Sequence, residues 1–218
     1  MKIKSIFFDF DGVLAESVHV KTEAFRQMYL PYGKEVADKV VAHHRANGGV
    51  SRYEKFRIWN KAFLNEEIDE QRVQELAQQF SNLVVDGVVA STEINGATYF
   101  LEKYYQKLQF WIITGTPTIE IEPIVKARNM GKYFIELCGS PTKKPTWTEY
   151  LVEKHQLNRE EVIFLGDAMS DYKASQHSKL HFALRDYDEN KELFKDYKLR
   201  RFVDFYDLEK QLIQSELL

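Results

Sequence analysis

Phe7-Phe8-Asp9-Phe10-Asp11-Gly12-Val13-Leu14 closes the first apolar run of the chain. Ile3–Phe8 is a short apolar segment ending in a polar residue, the pattern of a strand buried on both faces of a parallel sheet. Extended backbone alternates its side chains, so Asp9 and Asp11 fall on one side and Phe10 on the other. Two carboxylates that close repel, and both ionise only where a cation or hydrogen-bond donors compensate. Taken alone, the same octapeptide is equally a solvated strand end followed by a turn at Gly12.

Leu108–Ile113 and Val162–Leu165 repeat the pattern of a buried strand. Further strands are expected at Tyr133–Cys138, Leu180–Leu184 and Arg201–Phe205. Amphipathic helices lie between them. Ala97, Phe100, Leu101, Tyr104 and Tyr105 share one helical face, as do Leu208, Leu212 and Ile213 near the end. Strands alternating with helices from residue 93 onward predict βαβ units and a parallel sheet, hence an α/β fold. Pro123 is awkward inside the helix after Gly115, so that helix is expected to start near Glu120, with the proline in its first turn.

Residues 18–90 break the alternation. Val36, Ala37, Val40, Val41 and His44 form one helical stripe, and Val73, Leu76, Ala77, Phe80, Leu83 and Val84 form another. Two more helices are expected at Val18–Leu30 and Ser51–Leu64. The chain thus carries a helical insert directly after its first strand, with hinges expected at Ala15–Ser17 and Asp86–Gly96.

The composition narrows the function. The 218 residues include 33 acidic and 30 basic side chains, a net charge of −3, with 44% hydrophobic residues. That balance offers no basic footprint for nucleic acid and no basic cluster for a membrane surface. Cys138 is the one cysteine, which excludes an internal disulfide framework and a cysteine-rich zinc site and fits a reducing compartment. No stretch approaches the apolar length of a bilayer span. Lys2 and Lys4 precede only Ile6-Phe7-Phe8 before Asp9, too short for a signal-peptide core. A soluble, cytoplasmic protein is expected, as a monomer or small homo-oligomer.

Three more elements carry chemistry. Thr114-Gly115-Thr116 follows the strand ending at Ile113, where a hydroxyl and backbone N–H groups can receive a phosphate. Lys143-Lys144-Pro145 lies in a later loop. Phe164-Leu165-Gly166-Asp167 ends another strand, with Asp171 four residues on. Each has an ordinary reading: a turn, solvated lysines, or Asp171 as a helix N-cap. Together they would all meet at the carboxyl edge of one parallel sheet, where α/β sheets place ligands. Four aspartates gathered there call for Mg²⁺, an ion that prefers oxygen ligands, while a hydroxyl and an ammonium supply phosphate recognition.

The ordered set Asp9-Phe10-Asp11-Gly12, Thr114, Lys144 and Gly166-Asp167…Asp171 resembles the four motifs of the haloacid dehalogenase superfamily. The helical insert is similar to the cap of its phosphatase and β-phosphoglucomutase branch. The resemblance covers essentially the whole chain. It implies a Rossmann-like core at 1–14 and 91–218, a helical cap at 15–90, and Mg²⁺-dependent phosphoryl transfer through an aspartyl-phosphate. Asp9 would be the nucleophile and Asp11 the general acid and base. Asp9, the Asp11 carbonyl, Asp167 and Asp171 would hold the metal. Thr114, Gly115 and Lys144 would hold the phosphoryl group, with Lys143 as the reserve lysine. The implied activity is hydrolysis of a small phosphorylated metabolite, a sugar phosphate. The alternatives are a β-phosphoglucomutase-like mutase and, further off, a receiver-like phosphoacceptor domain.

The insert sequence His43-His44-Arg45-Ala46-Asn47-Gly48-Gly49-Val50-Ser51-Arg52 is its least generic stretch. Gly48-Gly49 permits close backbone approach to a ligand, and Arg52 can present a planar fork to a second anionic group. Gly49-Val50-Ser51-Arg52 resembles the cap loop of β-phosphoglucomutases, whose arginine meets the non-reacting phosphate. Lys21 stands where that pattern has a histidine, which favours hydrolysis over the mutase. Tyr53, Trp59 and Phe63 read as insert core, Cys138 as a small buried side chain, and Asp186–Arg201 as a solvated face. His155, His177 and His181 have no partner at metal-ligand spacing.

Overall fold

In the computed structural model, which describes residues 2–218, the short apolar runs pair as the strands of a single six-stranded sheet. The strands are β1 (Ser5–Phe8), β2 (Gln109–Pro117), β3 (Glu136–Ser140), β4 (Val162–Gly166), β5 (His181–Arg185) and β6 (Arg200–Phe202). Their order is β3-β2-β1-β4-β5-β6, every pairing is parallel, and the sheet has the Rossmann-like order expected. Register aligns Phe7 with Trp111 and Phe164, and Phe8 with Ile112 and Leu165. Because side chains alternate, the first trio feeds the hydrophobic core on one face of the sheet and the second trio the core on the other. Phe7 meets the Trp111 and Phe164 rings edge-on at centroid distances of 5.5 and 6.3 Å. The same register brings Asp9, Thr114 and Asp167 out at one end of adjacent strands.

The insert comprises four α-helices: α1 (Val18–Tyr29), α2 (Lys34–Ala46), α3 (Arg52–Trp59) and α4 (Glu70–Ala90). A 3-10 turn at Leu30–Tyr32 follows α1, and a π-helical turn at Asn60–Leu64 extends α3. Their shared core is aromatic. Phe25 stacks on Phe80 at 4.0 Å and takes the edges of Trp59 at 4.8 Å and Phe56 at 5.8 Å. Leu83, expected on the buried stripe of α4, is 40% exposed instead. The expected hinge at Asp86–Gly96 is also shorter, because α4 continues to Ala90. Gly87, which reads as an interruption, is needed for packing: a Cβ there would meet Val20 Cγ1 at 2.8 Å. The outgoing and returning connections lie side by side, with Ala15 bridged to Glu93 and the Glu16 N–H donating to Thr92.

The sheet is covered by α5 (Ala97–Tyr104), α6 (Thr118–Ala127), α7 (Lys144–Lys154), α8 (Met169–His177) and α9 (Phe205–Gln214). Helix α6 starts at Thr118 rather than near Glu120, so Pro123 sits past the first turn. The carbonyl that its missing N–H leaves unbonded belongs to Ile119, a residue 79% exposed at the helix start. The strand expected at Arg201–Phe205 stops at Phe202, because the Asp204 side chain accepts the Asp207 N–H at 2.9 Å and opens α9. Ile213 is exposed, while Leu208 and Leu212 are buried as expected. The strand expected at Tyr133–Cys138 begins later, after a 3-10 turn at Gly131–Tyr133. No helix among the described residues is long and apolar enough to cross a membrane.

Candidate active site

The parallel register does for Asp9, Asp167 and Asp171 what their sequence separation cannot. Asp9 follows β1 directly and Asp167 follows β4 directly, and these strands are neighbours. Asp171 is not the N-cap of α8. It is the third residue of that helix, and its carboxylate reaches back to accept the Ala168 N–H at 3.1 Å. One oxygen from each of these three buried carboxylates lies within 4.8 Å of the others. Gly12 takes a positive φ of 78°, and a side chain there would collide with the Asp167 carboxylate.

Lys144 enters this group from the start of α7. Its ammonium donates to Asp9 Oδ2 at 2.8 Å and to Asp171 Oδ1 at 2.5 Å. Burial opposes its charge, yet Asp171 and Asp9 outweigh that and hold it firmly protonated. Lys143 points away, exposed, to Glu54 at 3.1 Å. One ammonium does not balance three carboxylates. Burial, with Asp9 and Asp171 adding to it, pushes the Asp167 carboxyl well above its ordinary range. Asp171 is also raised, by burial and Asp9, despite Lys144. Excess negative charge on buried oxygens is the donor set of a hard divalent cation, so these residues fit one.

Asp11 is handled separately. It accepts from Lys21, from Ser17 Oγ at 2.5 Å and from Thr116 Oγ1 at 3.0 Å. Burial would raise this carboxyl, but the Lys21 ammonium and the two hydroxyls outweigh it and hold it below the usual carboxylate range. Two carboxylates on one short loop therefore face different surroundings: Asp9 the acidic cluster and its lysine, Asp11 the insert. Sequence reasoning placed Lys21 on the first insert helix without assigning it this contact, and missed Ser17 and Thr116.

Thr114 is buried, and its hydroxyl accepts the Thr116 N–H at 3.2 Å. Thr114-Gly115-Thr116 lies in the irregular end of β2, where the register with β3 shifts, rather than in a plain strand-to-helix turn. The loop between α2 and α3 sits against it: a Cβ on Gly115 would meet the Gly49 carbonyl at 2.6 Å. Gly49 has φ of 70°, and a Cβ there would crowd Ser170 and approach Lys144 Nζ at 3.2 Å. Ser170 Oγ donates to the Gly48 carbonyl at 3.0 Å. The double glycine lets the insert close over the sheet edge, and a cavity of about 280 Å³ remains, lined by Asp9, Asp11, Thr114 and Asp167 below and by insert side chains above.

Two expectations change. Arg52 does not offer a free fork to the cavity. Its guanidinium makes a bidentate pair with Glu120 of α6, both bonds 2.8 Å, donates to Ser81 Oγ at 2.7 Å, and lies 4.6 Å over the Phe80 ring. With the Arg52 side chain 3% and Glu120 13% exposed, this is a buried pair joining insert to sheet layer. We expect Arg52→Ala to destabilise the protein by about 3 kcal/mol, since it strands Glu120. Adding Glu120→Ala should recover part of that loss in a urea double-mutant cycle.

The stretch Asp186–Arg201 is not simply a solvated face. Tyr187 Oη donates to Asp167 Oδ2 at 2.8 Å, Asn190 Nδ2 donates to the Asp167 carbonyl at 2.8 Å, and Phe194 is fully buried. The available signal was position: this stretch also leaves a strand, β5, at the edge bearing the aspartates. Cys138 is buried in β3, where burial pushes its thiol up to about 12, as suits an inert side chain. His155 pairs with Glu136, Nε2 to Oε1 at 2.5 Å, away from the acidic cluster.

Residues 6–184 match the family model described as haloacid dehalogenase-like hydrolase. A phosphoglycolate phosphatase of Photorhabdus laumondii is 27% identical over 180 residues, covering 80% of this chain and 76% of that protein. Among solved structures, a predicted phosphoglycolate phosphatase from Haemophilus somnus superposes with TM-score 0.74 at 21% identity, covering 97% of this chain and 98% of the other. A predicted phosphatase from Clostridium acetobutylicum gives 0.77 at 18% identity, covering 98% and 100%. With the family model matching most of the chain and the site motifs gathered on one sheet edge, the chain belongs to the haloacid dehalogenase-like hydrolase family.

Proposed function

We propose that the chain is a Mg²⁺-dependent phosphatase that hydrolyses a small phosphate monoester through an aspartyl-phosphate on Asp9. The observation that carries this reading is the separation of the two loop carboxylates: Asp9 beside Lys144, Asp167 and Asp171, and Asp11 in its own setting with Lys21, Ser17 and Thr116. Asp9, Asp167 and Asp171 would hold the metal, which when bound supplies charge neutralisation for the phosphoryl oxygens. Lys144, Thr114 and the backbone at Gly115 bind the same group and orient it for attack by the Asp9 carboxylate.

Asp11 then serves the protons. In its acid form it gives its proton to the leaving oxygen of the ester, and the carboxylate this leaves takes a proton from the water that hydrolyses the phospho-enzyme, which restores the acid form. Kept ionised by Lys21, it is set here for the second task. We expect Asp11→Asn to cut kcat by about 100- to 10,000-fold, read by steady-state phosphate release. An unchanged rate would remove the assignment.

The substrate is a small phosphorylated metabolite. The sugar phosphate expected from the sequence and the phosphoglycolate named for the relatives are both of that size. Arg52 is committed to Glu120 and Ser81, so it is not offered to a second phosphate, which supports hydrolysis over a mutase reaction. Phosphate release across a panel of small phosphate esters, with and without Mg²⁺, tests the reading. Transfer to a second position of a sugar without free phosphate would overturn it.

A further inference from the structure

Among the described residues, the buried or half-buried lysines and arginine in or beside the cavity have an acidic partner, with one exception. Lys144 has Asp9 and Asp171, Lys21 has Asp11, and Arg52 has Glu120. Lys55, on α3, is 2% exposed, and among the described residues no carboxylate pairs with it. Its Nζ lies 2.8 Å from His44 Nδ1 and 5.8 Å from the centre of the Phe25 ring. An isolated ammonium out of water carries a desolvation penalty of several kcal/mol, which neither an imidazole nor a ring offsets. Burial, with Lys21, Lys144 and Arg52 nearby, lowers Lys55 to about 7. Burial and Lys55 together push His44 well below its ordinary value, so it stays neutral and acts as an acceptor. The arrangement is a positive site that lacks its counter-charge.

Lys55 and His44 line the same cavity as Asp9 and Thr114, on the insert side. A molecule whose phosphoryl group rests at Asp9 and Lys144 therefore extends toward Lys55. The apolar walls there, Phe25 and Phe80, exclude water and strengthen a charge-assisted hydrogen bond. The charge is a single compact ammonium, and Arg52, the fork suited to a second phosphate, is already occupied.

We propose that Lys55, backed by His44, binds a carboxylate at the non-reacting end of the substrate, so that the enzyme selects phosphate monoesters that are also carboxylic acids. This rests on the phosphatase reading for turnover, though not for binding. Matched esters separate the two. 2-Phosphoglycolate and 2-hydroxyethyl phosphate differ only in a carboxylate replaced by a hydroxymethyl group, and 3-phosphoglycerate and glycerol 3-phosphate form a second such pair.

In the wild-type enzyme with Mg²⁺, kcat/KM for the acid should exceed that for its neutral partner by about 10- to 100-fold in at least one pair. Lys55→Met should collapse that ratio to near unity, and Lys55→Arg, which restores a cation, should recover part of it. Calorimetry on Asp9→Asn protein, with Lys55 intact, should show the same preference in Kd without turnover. Equal wild-type treatment of both members in both pairs overturns the proposal, as does a ratio unchanged in folded Lys55→Met protein. Selective binding by Asp9→Asn protein alongside a wild type that releases no phosphate would instead sink the phosphatase reading and leave the carboxylate site standing.

Discussion

We expect Asp9→Asn to abolish phosphate release, with turnover falling by about 10,000-fold or more, while the protein stays folded. An amide cannot attack phosphorus to form the acyl phosphate, and the other two carboxylates of the cluster, Asp167 and Asp171, are the ones proposed to hold the metal. The fold tolerates the change because asparagine keeps the shape of aspartate. Its side-chain oxygen can still accept the Phe10 N–H, which Asp9 Oδ1 accepts at 2.7 Å. Lys144 retains Asp171 as its charged partner. Far-ultraviolet circular dichroism and the urea midpoint check the fold, and a phosphate-release assay checks the rate. Acid-quenched wild-type enzyme given radiolabelled substrate should hold label on the protein, and the variant should hold none. A variant that turns over normally would end the nucleophile assignment.

Asp167→Asn separates stability from function. In the metal-free protein Asp167 sits buried against Asp9 and Asp171, and Lys144 donates only to those two. Removing its charge relieves repulsion, so metal-free stability should rise by about 1–2 kcal/mol. The Tyr187 hydroxyl that donates to Asp167 Oδ2 retains an acceptor if the amide oxygen occupies that position. The cost falls on the metal. Mg²⁺ should raise the Tm of the wild type and barely move that of the variant, and activity should drop by about 100-fold or more. Exhaustive chelation should silence the wild type as well. A variant less stable than the metal-free wild type, or equally stabilised by Mg²⁺, would mean that Asp167 is not held against its neighbours as described.

Much of this was legible in the chain alone, for a physical reason. Buried parallel strands must be short and apolar, so Ile3–Phe8, Leu108–Ile113 and Val162–Leu165 announce themselves, and the polar residue ending each marks the sheet edge. Element ends were less legible. Gly87 looks like a helix breaker until Val20 is packed against it, and Phe205 reads as strand until Asp204 caps the helix it opens. Leu83 and Ile213 follow the helical period and still face solvent, because a stripe can be wider than the neighbour that covers it.

The motif aspartates, Thr114 and Lys144 were each visible at the end of a strand or in the loop after it, since that position depends only on local pattern. Which side chain meets which was not visible. Lys144 rather than Lys143 reaches Asp9 because of how α7 is set on the sheet. Arg52 reaches Glu120 because α4 packs against both α3 and α6 and brings their ends together. Tyr187 and Asn190 reach Asp167 because β5 lies beside β4. The order of hydrophobic and polar residues is a one-dimensional record of burial, and it specifies an α/β sheet, a helical insert and an acidic edge. Charge pairing acts across space at a few ångströms, so the free ammonium of Lys55, the tie between Arg52 and Glu120 and the separate surroundings of Asp9 and Asp11 exist only once distant segments are brought together.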